Sequence, residues 1–379
     1  MPRTAPVVPI RTVALAAGGT GGHLFPAEAL ARELIARGHD VVLYTERRGA
    51  AYTQALHDLP HVVLPARSLA GGVGGKLAAA LTIARAAWQA RRDMRRRGVG
   101  LLVGFGGYPS FAPAMAAKSL KLPLLLHEQA TRLSMANKQL LRFADGVATS
   151  FATVAGLESF DTARIFETGN PVRRQILQAR AVDANGGYPP LDAHTPIEVL
   201  VVGGSQSARV FGEVVPPALL ALPDELRRRI VLSLQYKGDD ADTIAASLRD
   251  AGIDATIAPF FDDMGARLRA AHLVITRAGA TTAADLLTVG RPAIFVPIPH
   301  GGSRVEQRHN ADALAQAGVG WCMPEPEFTA PALAARLVDL FATPARLIDA
   351  AAKARSLARP DAAARLADAV ERMIHDRAS

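Results

Sequence analysis

A single cysteine, Cys322, stands in 379 residues, and aromatic side chains make up only 5% of them. One thiol excludes an internal disulfide and a multi-cysteine zinc site, and it fits a reducing cytoplasmic compartment. No apolar run reaches 18 residues, which excludes a membrane-spanning helix and leaves peripheral contact as the membrane relation still open. The run Val13 to Ala17 is too short for a secretory signal core. Acidic residues are scarce only in the first half. Residues 1–171 carry twenty Lys and Arg against eleven Asp and Glu, a balance of +9, while the remainder stands at −1. A partner bearing phosphates, or an anionic membrane surface, is therefore expected at the N-terminal half. Nothing matches a nucleic-acid reading module, so nucleic acid is not expected as a partner.

The chain has ample apolar content. Hydrophobic residues make up 49%, and at roughly 150 residues per domain the length predicts two folded domains. Val13 to Ala17 reads as a first strand, GGTGGH at 18–23 as a tight turn, Pro26 to Arg37 as a helix and Asp40 to Thr45 as a second strand. Apolar runs at Leu101 to Val103 and Leu122 to Leu126 continue the alternation, which builds a parallel, doubly wound α/β sheet. Residues 174–196 lack clear periodicity and read as a linker region. Glu198 to Val202 followed by GGSQSAR at 203–209 then repeats the opening layout, with further strands expected at 230–234, 256–258, 273–275 and 293–296 and a helical tail from Pro331.

A strand that ends in a glycine turn before a helix gathers backbone N–H groups and the positive helix terminus, which suits a pyrophosphate. Four such turns occur: GGTGGH at 18–23, GFGGYPS at 104–110, GGSQSAR at 203–209 and RAGATT at 277–282. Singly each also reads as an ordinary βα connection; four together favour a phosphate-bearing substrate. Glu46 stands where an NAD ribose acid would, but Leu24 occupies the position of the third small residue, so NAD is not expected. His23 ends the first turn. Its imidazole can accept a proton near neutral pH, as activation of a sugar hydroxyl requires, or it can simply pack at a helix terminus. His127 and Glu128 follow the expected strand at 122–126, where α/β sheets place ligands; a capping role is the other reading. Asp285, in the helix after RAGATT, suits either a ribose diol or a favourable early-helix acid. Asp240 and Asp242 form a D-x-D pattern in a polar loop, read as a solvated turn, and no metal or cofactor is expected.

From Lys76 to Arg97 the sequence carries seven basic residues against Asp93 alone. Leu77, Leu81, Ala84 and Trp88 share one helix face. Such a helix, with Arg91, Arg92 and Arg95 beside the stripe, can lie on an anionic bilayer, or it can turn the stripe to the core and leave its basic end solvated.

In this order GGTGGH, GFGGYPS, the HEQ at 127–129, GNPVR at 169–173, GGSQ at 203–206, FFDDM at 260–264 and RAGATTAADL at 277–286 closely resemble the MurG family of glycosyltransferases, over nearly the whole chain. The resemblance implies a GT-B fold, two Rossmann-like α/β domains facing across a cleft. Residues 1–172 would form the acceptor and membrane-binding domain, with a C-terminal helix at about 358–379 packed back on it, and 173–357 the UDP-sugar domain. It implies inverting transfer of N-acetylglucosamine from UDP-N-acetylglucosamine to undecaprenyl-linked lipid I, without a metal, at the cytoplasmic face of the inner membrane, by a peripheral enzyme of peptidoglycan synthesis. Carried over by motif, Thr20, Gly21, Gly22, Arg173, Ser205, Gln206, Phe261, Ala280, Thr281, Thr282, Asp285 and Gln307 bind the donor. Gly106, Gly107, Tyr108 and His127 meet the acceptor, and His23 and Glu128 are catalytic. The chain departs from the family pattern at Ala130 in place of Asn, Asp285 in place of Glu, Ser207 in place of Gly, and Glu306 beside Gln307. The Ala130 departure keeps open another GT-B UDP-sugar transferase or epimerase, and a non-catalytic binding protein is a further reading, since such proteins also close two α/β domains over a ligand.

Overall fold

The computed structural model describes residues 11–19, 21–50, 58–65, 73–182, 187–204, 209–301 and 304–378. Thr20, Ser205, Gln206 and Ser207 lie outside the described residues, as does the side chain of Leu77. The chain divides into two compact units, residues 1–173 with 360–379, and residues 174–359.

The first unit is a seven-stranded parallel sheet of β1 (Thr12–Ala16), β2 (Asp40–Thr45), β3 (His61–Val63), β4 (Val99–Gly104), β5 (Leu124–Glu128), β6 (Gly146–Thr149) and β7 (Ile165–Glu167), in the order β3-β2-β1-β4-β5-β6-β7. Strand β1 explains how both faces are covered. Val13 and Leu15 point into a core with the Gly21–Ala36 and Ala362–Ala378 helices, while Ala14 and Ala16 point into a core with the Val73–Arg97 and Phe111–Ser119 helices. The two-residue side-chain period sends alternate residues to opposite faces. The C-terminal helix buries Leu366, Val370 and Ile374, spaced four apart on one stripe. Arg37 fastens it by donating to Asp368, Glu371 and the Ala364 carbonyl, at 2.6, 2.9 and 3.0 Å.

The second unit is a six-stranded parallel sheet of β8 (Ile197–Val202), β9 (Ile230–Gln235), β10 (Asp254–Ala258), β11 (Leu273–Thr276), β12 (Ala293–Phe295) and β13 (Gly320–Cys322), ordered β10-β9-β8-β11-β12-β13. Each sheet reverses its strand order beside its own first strand, at β1/β4 and at β8/β11. Crevices at such carboxyl ends are where open α/β sheets take ligands.

Four strands, β3, β6, β7 and β13, each three or four residues long, escape the sequence reading. The expected linker also starts later than its composition suggests. Arg174–Val182 is a helix of the second unit, with Ile176 and Ala179 buried and the Gln175 side chain accepting from the Gly265 N–H at 3.4 Å.

Arg291 is the largest fully buried side chain among the described residues. It donates to the carbonyls of Leu268 and Arg269 (2.8 and 2.6 Å) at the end of the Met264–Ala270 helix. It also donates to those of Val289 and Gly290 (3.2 and 3.0 Å) at the end of the Ala280–Val289 helix. One guanidinium thus caps two helix C-termini, where a cation is favoured and the last carbonyls lack intrahelical partners. Arg291→Met, of similar volume, should cost about 3 kcal/mol or more by orphaning those buried carbonyls. Urea unfolding would register the loss, and an unchanged midpoint would contradict this capping role.

Candidate active site

At the β1/β4 reversal two glycine turns meet. After β1 the chain passes Gly18 and Gly19, whose φ of 84° suits glycine, and enters the Gly21–Ala36 helix. That helix begins earlier than the expected Pro26, so Gly21, Gly22 and His23 form its first turn. Glu46 accepts from the Gly19 and Gly49 N–H groups, both at 2.9 Å, so the acid weighed above as a ribose ligand holds the turn instead. A Cβ on Gly21 would stand 2.8 Å from the Phe25 ring, and the Arg173 guanidinium stacks on that ring at 4.1 Å. Two expected donor-binding residues are therefore joined through Phe25.

After β4, Gly106 and Gly107 take φ of 85° and 72° before the short turn Tyr108–Ser110, with Tyr108 exposed at its tip. The Ser110 hydroxyl hydrogen-bonds the carbonyls of Ala16 at 3.1 Å and Gly106 at 2.7 Å, and Phe105 N–H donates to Ala16 at 2.9 Å. These bonds lock the two turns together. His23 is half-buried against the second one, and burial holds its pKa below the ordinary imidazole range.

Strand β5 runs two residues further than expected and ends on His127 and Glu128 themselves. His127 is fully buried, packs on Phe105 at 5.3 Å between ring centroids, and bonds the Gly169 carbonyl through Nε2 at 3.2 Å. Burial pushes its pKa down to about 4, so it is neutral at physiological pH. Glu128 is also buried. Its carboxylate accepts from Ala130 N–H (3.1 Å), Ser134 N–H (2.8 Å) and Asn137 Nδ2 (2.9 Å), while desolvation still raises its pKa. Ala130 contributes through its backbone, a bond that Asn at this position would make equally well. Asn137 carries no signal in the sequence, because its contact with Glu128 spans nine residues across a loop and a helix start.

In the second unit, Gly204 (φ 72°) follows β8, and the Thr276 hydroxyl ties β11 to the Val202 carbonyl at 2.8 Å. Arg277 bonds the Val296 carbonyl at 3.0 Å, pairs with Glu325 and lies over Phe211. The helix that carries Ala280, Thr281, Thr282 and Asp285 starts at the carboxyl edge with no side-chain cap, and Asp285 is buried. Phe261 is buried beneath the Arg267 guanidinium at 4.1 Å. Gln307 accepts from the Ile298 N–H at 3.2 Å, holding the segment after β12. Asp240 accepts from the Tyr236 hydroxyl at 2.9 Å, and Asp242 lies in the first turn of the Ala241–Asp250 helix.

The Val73–Arg97 helix settles which way its stripe faces. Ala79, Ala86, Ala90 and Met94 are buried, whereas Leu81 and Trp88 are 66% and 61% exposed, with exposed Ala84, Arg85, Arg92 and Arg95 on the same side. The core-facing reading of Leu81 and Trp88 is thereby overturned. Arg92 lies over Trp88 at 5.9 Å. Arg91 turns away to donate to the Ser119 carbonyl and hydroxyl at 2.7 and 2.8 Å, and Arg96 and Arg97 pair with Asp93.

Comparison with known proteins agrees with this geometry. Residues 13–149 match the glycosyltransferase family 28 N-terminal domain and residues 198–371 the family 28 C-terminal domain. The chain is 48% identical over 361 residues to the UDP-N-acetylglucosamine–N-acetylmuramyl-(pentapeptide) pyrophosphoryl-undecaprenol N-acetylglucosamine transferase of Rhodospirillum centenum, covering 94% of this chain and 93% of that one. The protein of the same name in Paramagnetospirillum magneticum is 45% identical, covering 96% of each chain. Among solved structures, Acinetobacter baumannii MurG aligns with a TM-score of 0.74 and 28% identity over 96% of this chain and 99% of that one. A UDP-N-acetylglucosamine 2-epimerase from Listeria monocytogenes aligns with a TM-score of 0.68 at 15% identity, over 98% of both chains, a likeness of fold alone. With both halves matched and relatives this similar along nearly its whole length, the chain belongs to glycosyltransferase family 28 and, within it, to the MurG family.

Proposed function

We propose that this enzyme transfers N-acetylglucosamine from UDP-N-acetylglucosamine to the 4-hydroxyl of the muramyl sugar in undecaprenyl-diphospho-muramyl-pentapeptide, with inversion at the anomeric carbon. The observation that carries this reading is the 48% identity, over 94% of the chain, to a transferase whose name states both substrates. The 2-epimerase likeness, at 15% identity, supports no competing reaction.

The second unit holds the donor. The uncapped start of the Ala280–Val289 helix directs N–H groups at the diphosphate, Asp285 accepts from the ribose hydroxyls, Phe261 borders the uracil and Gln307 the sugar. Gly203 and Gly204 lead into the second phosphate-binding segment, to which the family motif assigns Ser205 and Gln206. In the first unit, Thr20, Gly21 and Gly22 approach the donor sugar and the acceptor diphosphate, Gly106, Gly107 and Tyr108 meet the acceptor, and Arg173 supplies positive charge to the donor diphosphate. His23 takes the proton from the acceptor hydroxyl as its oxygen bonds to the anomeric carbon. The bond from that carbon to the diphosphate breaks on the opposite face, and UDP leaves with the electron pair. His127, neutral and buried, packs behind the base. Glu128 has its carboxylate committed to three N–H donors, so its role is to hold the loop that follows β5 rather than to exchange protons.

The exposed face of Leu81, Ala84 and Trp88, flanked by Arg85, Arg92 and Arg95, docks on the anionic cytoplasmic leaflet of the inner membrane, where the lipid acceptor resides. Arg91 is assigned to packing against Ser119 instead.

Three measurements test these roles. His23→Ala should lower kcat by about 10²- to 10⁴-fold while changing donor affinity little, and wild-type turnover would remove His23 as the base. Because the base works unprotonated and burial lowers its pKa, wild-type activity should stay level through neutral pH and decline only below the ordinary imidazole range. Changing Arg85, Arg92 and Arg95 together to Gln should weaken partitioning onto phosphatidylglycerol vesicles about 100-fold, at roughly 1 kcal/mol per basic residue. Unchanged sedimentation with such vesicles would detach the helix from membrane binding.

A further inference from the structure

Ala258 closes strand β10 and Met264 opens the next helix. The segment between them carries Phe261, which is buried and whose main-chain N–H and C=O have no hydrogen-bond partner among the described residues. An N–H and a C=O on one residue can pair with the imide edge of uracil, which offers an acceptor beside a donor. Such pairing holds only while the peptide stays within hydrogen-bond reach, about 2.7–3.2 Å. A connecting segment has no ladder of its own to keep it there.

What holds the segment changes along its length. At its start the Tyr236 N–H donates to the Ala258 carbonyl at 2.9 Å, and the Gln235 side-chain amide donates to the Pro259 carbonyl at 3.3 Å. From Phe261 to Asp263 the grip comes from Arg267, in the helix that follows. Its guanidinium lies over the Phe261 ring at 4.1 Å. Its Nε donates to the Asp263 carboxylate at 2.8 Å, and its Nη1 donates to the Ser233 hydroxyl on β9 at 2.7 Å. The face of one plane covers the ring while two of its donors are tied, one to the segment and one to the sheet.

We propose that Arg267 is a positioning residue for recognition of the donor base: it clamps Phe261 to strand β9, so that the Phe261 peptide is held where the uracil edge meets it. The proposal rests on the reading of Phe261 as the neighbour of the uracil, and Arg267 reaches the base only through Phe261. The residue type matters. Lysine carries the same charge without the planar fork, so it cannot cover the ring and bond both partners at once. The Arg267 side chain is 24% exposed and lines a cavity of about 240 Å³ together with Glu198, Ser233 and Asp263. Truncating it therefore adds open space beside the ring.

The test uses the full chain and measures binding of UDP and CDP, with turnover of UDP-N-acetylglucosamine and a short-chain analogue of the lipid acceptor. In Arg267→Met, the UDP Kd and the donor KM should rise about tenfold, the scale of one charge-assisted hydrogen bond. kcat and acceptor KM should stay near wild type, as loss of ground-state binding requires. The preference for UDP over CDP should shrink, because cytosine presents the reversed donor and acceptor order and a loosened peptide discriminates less. Arg267→Lys should behave like Arg267→Met, and Ser233→Ala, which deletes one hydroxyl, should show a smaller rise of the same kind. Wild-type UDP affinity in Arg267→Met overturns the proposal, and so does full recovery in Arg267→Lys or a loss shared equally by UDP and CDP. A nuclear Overhauser contact between uracil H5 of bound UDP and the Phe261 amide, in the wild type, tests the underlying reading without any variant. Its absence brings down the placement of the uracil, whereas its presence with unchanged UDP affinity in Arg267→Met brings down Arg267 alone.

Discussion

Three N–H donors converge on the buried carboxylate of Glu128, and the order of the first unit's site follows from that convergence. A carboxylate out of water is costly unless hydrogen bonds replace its hydration. Here the loop after β5 supplies them, so the loop folds around the acid and the acid fixes the loop. Gln129 lies between Glu128 and the first of those donors, Ala130. Its amide reaches the Phe105 carbonyl and the His23 ring. Asn137 donates both to Glu128 and to the His127 carbonyl, so the end of β5 and the start of the next helix are held in one network. The buried carboxylate thus fixes the backbone on both sides of Gln129, whose amide reaches the His23 ring.

The two units solve the same problem with different chemistry. In each, a parallel sheet reverses its strand order beside its first strand, and hydroxyls bind the carboxyl ends on either side of the reversal. Ser110 does this for β1 and β4, and Thr276 for β8 and β11. The first unit then presents two glycine turns, with positive φ at Gly19 in one and at Gly106 and Gly107 in the other, where the backbone can approach a ligand closely. The second presents a helix start, with Arg277 tying the ends of its strands and Arg291 capping the far end of that same helix. The near-neutral charge of the second half agrees with recognition by specific groups. The +9 of the first half is partly concentrated on one helix, and even there the cations differ in role. Arg91, Arg96 and Arg97 are committed to Ser119 and Asp93, which leaves Arg85, Arg92 and Arg95 beside the apolar stripe.

What the sequence by itself determined is whatever local stereochemistry makes exclusive. Two parallel α/β sheets were legible because apolar runs of strand length alternate with helical segments. The turns at 18–23 and 104–110 were legible because the left-handed region at Gly19, Gly106 and Gly107 admits little but glycine. His23 and the pair His127–Glu128 stood out as candidates for a related reason, since they adjoin such turns or strand ends. The tertiary structure decided what depends on partners distant in the chain. It made Glu46 the anchor of Gly19 and Gly49 and gathered three N–H donors on the buried carboxylate of Glu128. It also settled which way the Leu81–Trp88 stripe of the Val73–Arg97 helix faces. Periodicity finds that stripe but not its direction, and burial of the alanines at 79, 86 and 90 on the opposite side leaves Leu81 and Trp88 facing out. Four short strands and the contacts of Asn137 and Gln129 lay beyond the sequence for one physical reason: their order comes from neighbours that only the folded chain brings near.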